Sequence, residues 1–194
     1  KLEVKVDGSV APSEIALAKA GSHSVNFTVD KGATVTVNDP TNGSHTATAG
    51  PNDTQVSVPG VPDVATGGTV TVTATIDGQE RVVTVPVTVT NGVASTSDLK
   101  LHEVTVRVVD GQSGQPISGA MVTVGAQASA ATGADGVAKL YLVGGVTYTG
   151  VKAEAVRYET ATVEELKVTV TGSLATSDPD RIEMMLQKPY LHVF

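Results

Sequence analysis

The sequence predicts an all-β protein made of two β-sandwiches in tandem, and three observations support this. Hydrophobic residues make up 40% of the 194 residues but aromatics only 3%, with no Trp and two Phe. The apolar content is therefore mostly Val and Ala, with much Thr and Gly. Val and Thr are β-branched and suit a pleated, half-buried surface. Second, short alternating runs recur between turn signals, and no segment sustains a helical period. Third, the small polar stretch 91–98 reads as a linker or crossover and divides the chain into 1–98 and 99–194. Each part is near a common sandwich size.

In the first half, Leu2, Val4 and Val6 alternate with charged residues. Val25, Phe27 and Val29 follow, then Val35 and Val37, Val56 and Val58, and Val70, Val72 and Ala74. The run from Arg81 to Thr90 places Val83, Val85, Val87 and Val89 on one face. Turn signals separate these runs at Asp7-Gly8, Lys31-Gly32, Asn38-Asp39-Pro40, Asn42-Gly43, Gly67-Gly68 and Asp77-Gly78. Asp77-Gly78 lies between two strong strand patterns and reads as a hairpin tip. Seven or eight strands in about ninety residues is an immunoglobulin-like count.

In the second half, His102 to Val109 alternates with Val104, Val106 and Val108 on one side. Strands are expected next at Ala120 to Val124, Val137 to Leu142, Tyr148 to Ala155, Ala161 to Val170 and Arg181 to Leu186. Glu164-Glu165-Leu166-Lys167 could form a helical turn, but the neighbouring Thr162, Val168 and Val170 favour extended structure.

This half carries a recognisable spacing. Val106-Arg107-Val108-Val109-Asp110 precedes Gly114-Gln115-Pro116-Ile117-Ser118-Gly119-Ala120-Met121-Val122-Thr123-Val124. Thr132-Gly133-Ala134-Asp135-Gly136, Leu140 and a Tyr148 strand come after. The pattern resembles the carboxypeptidase regulatory-like domains, a transthyretin-like sandwich group close to the Cna B-type repeats of bacterial surface proteins, over roughly residues 102–188. Pro116 fixes φ at a strand start, Gly114 and Gly119 allow the tight backbone around it, and Asp135-Gly136 closes a turn. Where the family usually has Gly-Tyr, this chain has Arg157-Tyr158. The resemblance implies a spacer, scaffold or accessory module; the fold by itself implies no chemistry. The first half resembles bacterial Ig-like repeats more loosely, through Gly68-Thr69-Val70-Thr71-Val72-Thr73-Ala74 and the Val83 to Thr90 strand.

Charge and composition narrow the function. Net charge is −7 and the thirteen Lys and Arg are scattered singly, which argues against nucleic acid. No run of eighteen apolar residues marks a membrane span. Cysteine is absent, so disulfides, thiolate metal sites and a Cys nucleophile are excluded. The chain opens at Lys1 without a signal peptide and reads as a mature product or an excerpt.

No active site is expected. No Gly-x-Ser-x-Gly elbow stands between a strand and a helix, and Glu164-Glu165 would point to opposite faces of a strand. His23, His45, His102 and His192 lack paired ligand spacing; His23 and His45 could approach across a sheet, but exposed single histidines are the preferred reading. Asp39, Asn42, Asn52 and Asp53 crowd two loops that could meet and bind calcium, as could Asp178-Pro179-Asp180, yet these are also ordinary turn residues. No cofactor is therefore expected, with calcium as the alternative. Three sequons occur, at Asn26-Phe27-Thr28, Asn42-Gly43-Ser44 and Asn52-Asp53-Thr54.

The tail from Lys188 onward carries a dense apolar cluster and two of the six aromatic residues of the chain. Pro189 interrupts the strand pattern, and Tyr190, Leu191, Val193 and Phe194 follow. The tail either folds back on its own domain or docks on a neighbour by strand addition. Together with Leu2, Val4 and Val6 it forms the expected partner contact. The functional expectation is a non-catalytic structural or adhesive module of an extracellular surface protein or filament. Its partners would be other protein subunits or neighbouring modules, including a homo-oligomer. The alternatives are a phage virion surface or decoration protein and a carbohydrate-binding accessory module of a secreted enzyme. In the last case only Tyr141, Tyr148, Tyr158 and Tyr190 could form a stacking platform.

Overall fold

A computed structural model of the chain describes residues 21–125, 128–167 and 181–188. These residues are all-β, as the alternation predicts. The strands of the first half are β1 (Ser22–Thr28), β2 (Thr34–Asp39), β3 (Gly43–Thr48), β4 (Gln55–Pro62), β5 (Thr69–Ile76), β6 (Gln79–Pro86), β7 (Val89–Thr90) and β8 (Val93–Ala94). Those of the second half are β9 (Leu101–Asp110), β10 (Met121–Val124), β11 (Ala128–Ala131), β12 (Val137–Val143), β13 (Thr147–Glu154), β14 (Ala161–Lys167) and β15 (Arg181–Leu186).

The first sandwich faces a four-stranded sheet, β3-β2-β5-β6, against β1-β4. A bridge between Val64 and Val89 carries the second layer on to the β7-β8 pair. In β2 and β5 every Val points inward and every Thr outward, so one dipeptide repeat sets both the core and the surface. The core is thin because it is filled mainly by Val25, Val35, Val37, Val58, Val70 and Val72, with Phe27 the largest fully buried side chain. Such a core tolerates close approach: a Cβ on Gly68 would lie 2.4 Å from Val64 Cγ1 and 2.7 Å from the Val87 carbonyl. Asp77 (φ 53°) and Gly78 (φ 73°) form the expected hairpin tip between β5 and β6, both left-handed as a type I′ turn requires.

Two expectations for this half change. The Arg81–Thr90 run is not one strand: β6 ends at Pro86, whose missing N–H cannot continue the ladder, although Val83, Val85, Val87 and Val89 are all buried. Asn42-Gly43 opens an unforeseen strand, β3, whose sequence Gly-Ser-His-Thr-Ala-Thr lacks a buried apolar face because it is an edge. The 91–98 stretch, read as a linker or crossover, contains β8 and then runs beside the end of β1 as a paired crossover. The segment Leu2 to Val6 lies outside the described residues.

The second sandwich packs β11-β10-β13-β14 against β12-β9-β15. β9 is central, antiparallel to β12 and parallel to β15. The motif that carries the family resemblance has a local role. Gly136 (φ 73°) lets its backbone lie under the Val108 carbonyl and Pro116, where a Cβ would meet them at 2.7 and 2.8 Å. Buried Thr132 donates its hydroxyl to the Ile117 carbonyl (2.6 Å) and accepts from the Ala120 amide (2.9 Å), which pins the Pro116–Ala120 loop. Arg157, in place of the usual Gly, adopts φ 71°. Residues 168–170 of the expected Ala161–Val170 strand lie outside the described residues; the rest is β14.

Candidate functional site

One group of candidate residues lies where the two sandwiches meet. As the chain leaves the first sandwich, the Thr28 amide donates to the Ser97 carbonyl and the Leu99 amide to the Thr28 carbonyl, both at 2.8 Å. The Leu101 amide then donates to Asp30 Oδ2 at 2.9 Å, and Leu99 is fully buried. The buried apolar residues form one continuous cluster from Val25 to Leu186, spanning both sandwiches.

The β5–β6 hairpin completes this junction from the other side. Tyr141 on β12 points outward from its own sheet, yet it is only 8% exposed because the hairpin covers it. Its hydroxyl lies 3.1 Å from Asp77 Oδ2 and 3.2 Å from Glu103 Oε2. The Arg81 guanidinium carbon sits 4.6 Å from the ring centroid, a cation–π distance. Lys139 pairs with Glu103 at 3.1 Å. Burial, together with the two carboxylates, pushes the Tyr141 hydroxyl above its ordinary pKa, so it is a donor at any physiological pH. The junction is thus tied by backbone hydrogen bonds on one side and by an aromatic and charged clasp on the other.

A second constellation lies at the far end of β9. Asp110 is buried at 4% exposure, and its carboxylate is fully engaged. Oδ1 accepts from the Gln112 and Ser113 amides, both at 2.9 Å. Oδ2 accepts from the Tyr158 hydroxyl at 2.9 Å and from Lys188 Nζ at 2.8 Å. Lys188 above all, then the Ser113 amide and Tyr158, hold this carboxyl well below the usual carboxylate range. The same contact raises Lys188 and Tyr158 above their ordinary values. The arrangement is an ion-pair staple that ties the last residue of β9 to the chain just beyond β15. Sequence reading missed it because the three side chains come from positions 110, 158 and 188.

The outer face of β3-β2-β5-β6 forms a third feature. In register across it stand Thr48, Thr34 and Thr73, then Thr46, Thr36, Thr71 and Thr84, then Ser44, Asn38 and Thr69. Neighbouring hydroxyls pair with each other: Thr34 with Thr48 (2.9 Å), Thr36 with Thr46 (3.0 Å) and Thr71 with Thr84 (2.8 Å). These hydroxyls hydrogen-bond within the face itself.

The other candidates resolve as follows. His23 lies 3.4 Å from Asp63, and His45 sits beside Gly60 with its Nε2 buried and unmatched, as is Nε2 of His102. The three are partly buried rather than the exposed singles expected. Among the described residues no group of three His, Asp or Glu could hold a metal ion. The Asp39 carboxylate accepts from the Thr41 amide (2.8 Å) and Asn42 Nδ2 (2.6 Å), chiefly the latter lowering its pKa; it serves its own turn. Asn26, Asn42 and Asn52 of the sequons are exposed. Tyr148 is buried, its hydroxyl bonded to the Val143 amide and carbonyl, and Tyr158 belongs to the staple. The described tyrosines therefore form no exposed stacking platform. His192, Asp178-Pro179-Asp180 and the contacts Tyr190, Leu191, Val193 and Phe194 lie outside the described residues, as do Leu2, Val4 and Val6.

No protein-family profile matches the chain, and no curated protein matches it. Solved structures similar to it at low scores include three pilins. The pilus 2b backbone protein of group B streptococcus is 16% identical over 85% of this chain and 81% of its own, with a TM-score of 0.33. The shaft pilin SpaA of Lactobacillus rhamnosus GG is 10% identical over 88% of this chain and 99% of its own, with a TM-score of 0.36. A streptococcal ancillary pilin is 12% identical over 88% of this chain and 63% of its own, again at 0.33. Likeness at this level carries no functional argument, and the reading below rests on this chain's own geometry.

Proposed function

We propose that this chain is a non-catalytic structural module of an extracellular surface protein or filament, which holds protein partners at a fixed spacing. Two sandwiches, divided near residues 98 and 99, act as one rigid unit. The observation that carries this reading is the junction: a module whose work is to set distance needs its two halves locked. Leu99, Asp30, Asp77, Arg81 and Tyr141 lock them. No observation favours the virion or carbohydrate-binding alternatives.

The proposed contacts to other subunits are the apolar termini: Leu2, Val4 and Val6, and Tyr190, Leu191, Val193 and Phe194. Light scattering over a concentration series, on the intact chain and on one lacking Pro189 to Phe194, tests this. Association that disappears on truncation while the circular dichroism is unchanged supports the reading. An oligomer that survives truncation excludes the tail as its interface, and a strict monomer at all concentrations removes self-assembly.

A further inference from the structure

The strand pairing in the second sandwich fixes how it meets a pulling force. The chain enters this sandwich at the start of β9, Leu101, and leaves it after the end of β15, Leu186. The two strands are hydrogen-bonded neighbours and run parallel, in register from Thr105↔Arg181 to Asp110↔Leu186. Tension applied through the flanking chain therefore pulls β9 toward its start and β15 toward its end. The two slide past each other along their own axes, so the rungs between them share the load instead of opening one after another.

The exit point of this pair is also reinforced. The Gly111 amide donates to the Leu186 carbonyl at 2.8 Å, and the Glu159 amide to the Gln187 carbonyl at 2.7 Å. One residue further on, Lys188 grips Asp110, the last residue of β9, with Tyr158 on the same carboxylate oxygen. Met184 and Leu186 anchor β15 in the core. At the entrance, Ser97 to Leu101 is bonded along Thr28 to Asp30, so load passes between the sandwiches through paired backbone.

We infer that the second sandwich is a tension-bearing module, with the parallel β9–β15 pair as its mechanical clamp. This deepens the structural-module reading and rests on it, since only a chain loaded through both flanks would use such a clamp.

The chain has no cysteine, so single introduced thiols give clean handles for force spectroscopy. Pulling between Ser97→Cys and the C-terminus shears the pair. Pulling between Gln112→Cys and the C-terminus peels β15 from the same end of β9. Both positions are exposed, and only their backbone groups make described hydrogen bonds. Matching urea midpoints for the two variants and the parent chain confirm that both fold alike. The shear pull should rupture at a force higher by about twofold or more, because its rungs break together. Equal forces, or a stronger peeling pull, would overturn the clamp. Either result leaves the partner-binding reading to stand or fall on the light-scattering assay.

Discussion

Replacing Tyr141 by Phe isolates the clasp that joins the two sandwiches. The ring stays, and with it the Arg81 contact at 4.6 Å; only the hydroxyl is lost. That hydroxyl carries one proton, so it donates to Asp77 or Glu103 at any moment and not to both. A hydrogen bond to a charged acceptor contributes about 1.5–3 kcal/mol when buried. Here Asp77 is exposed and the Glu103 side chain is 40% exposed, so both carboxylates recover water when the donor goes. The expected loss is therefore about 1 kcal/mol, below that range because water replaces the lost donor. With a urea slope of about 2 kcal/mol/M, the denaturation midpoint of the second sandwich should fall by about 0.5 M. Circular dichroism during urea titration reads this directly. A midpoint unchanged within error would mean that the hydroxyl is idle and that the clasp consists of the ring and Arg81 alone.

Three further outcomes follow from other sites. Tyr148→Phe strands the Val143 amide and carbonyl inside the core and should cost about 2 kcal/mol, read as a lowered urea midpoint. Arg157→Gly relieves a left-handed backbone at φ 71° that costs about 1–2 kcal/mol for a side-chain-bearing residue, offset by about 0.5–1 kcal/mol of added chain entropy. It should raise stability by about 0.5 kcal/mol, and a lowered midpoint would show that Arg157 makes a compensating contact. The Asp110 staple gives a pH signature. A carboxyl depressed on folding stabilises above its unfolded pKa near about 3.9 and loses that contribution as pH falls. Lys188, raised on folding, contributes below about pH 10.4 and loses its contribution as pH rises through the folded value. Asp110→Asn should thus flatten the acid limb of stability below about pH 4, and an unchanged limb would count against the staple.

The strands were legible where one face is buried. Thr-Val alternation in β2 and β5, Asp77-Gly78 and the Pro116–Gly136 motif all carry local signals that survive folding. Arg157 was legible in a different way, as the departure from a family Gly at a position that proves left-handed. β3 was not, because an edge strand buries neither face and so loses the alternation. Nor was the junction. Tyr141 sits in a plain strand pattern, and the hairpin that covers it lies 64 residues away. The pairing of the 91–98 stretch was not legible, because it comes from backbone bonds with Thr28, which side-chain identity does not encode.

If the two sandwiches form one rigid unit, the distance between them has a narrow spread. Spin labels at Ser57→Cys on β4 and Glu154→Cys on β13, both exposed, place one probe in each sandwich of a chain with no other thiol. Pulsed electron–electron distance measurement should give a single narrow distribution, as a locked junction requires. A broad distribution, of the kind two domains on a loose tether produce, would mean that the junction does not lock the sandwiches together.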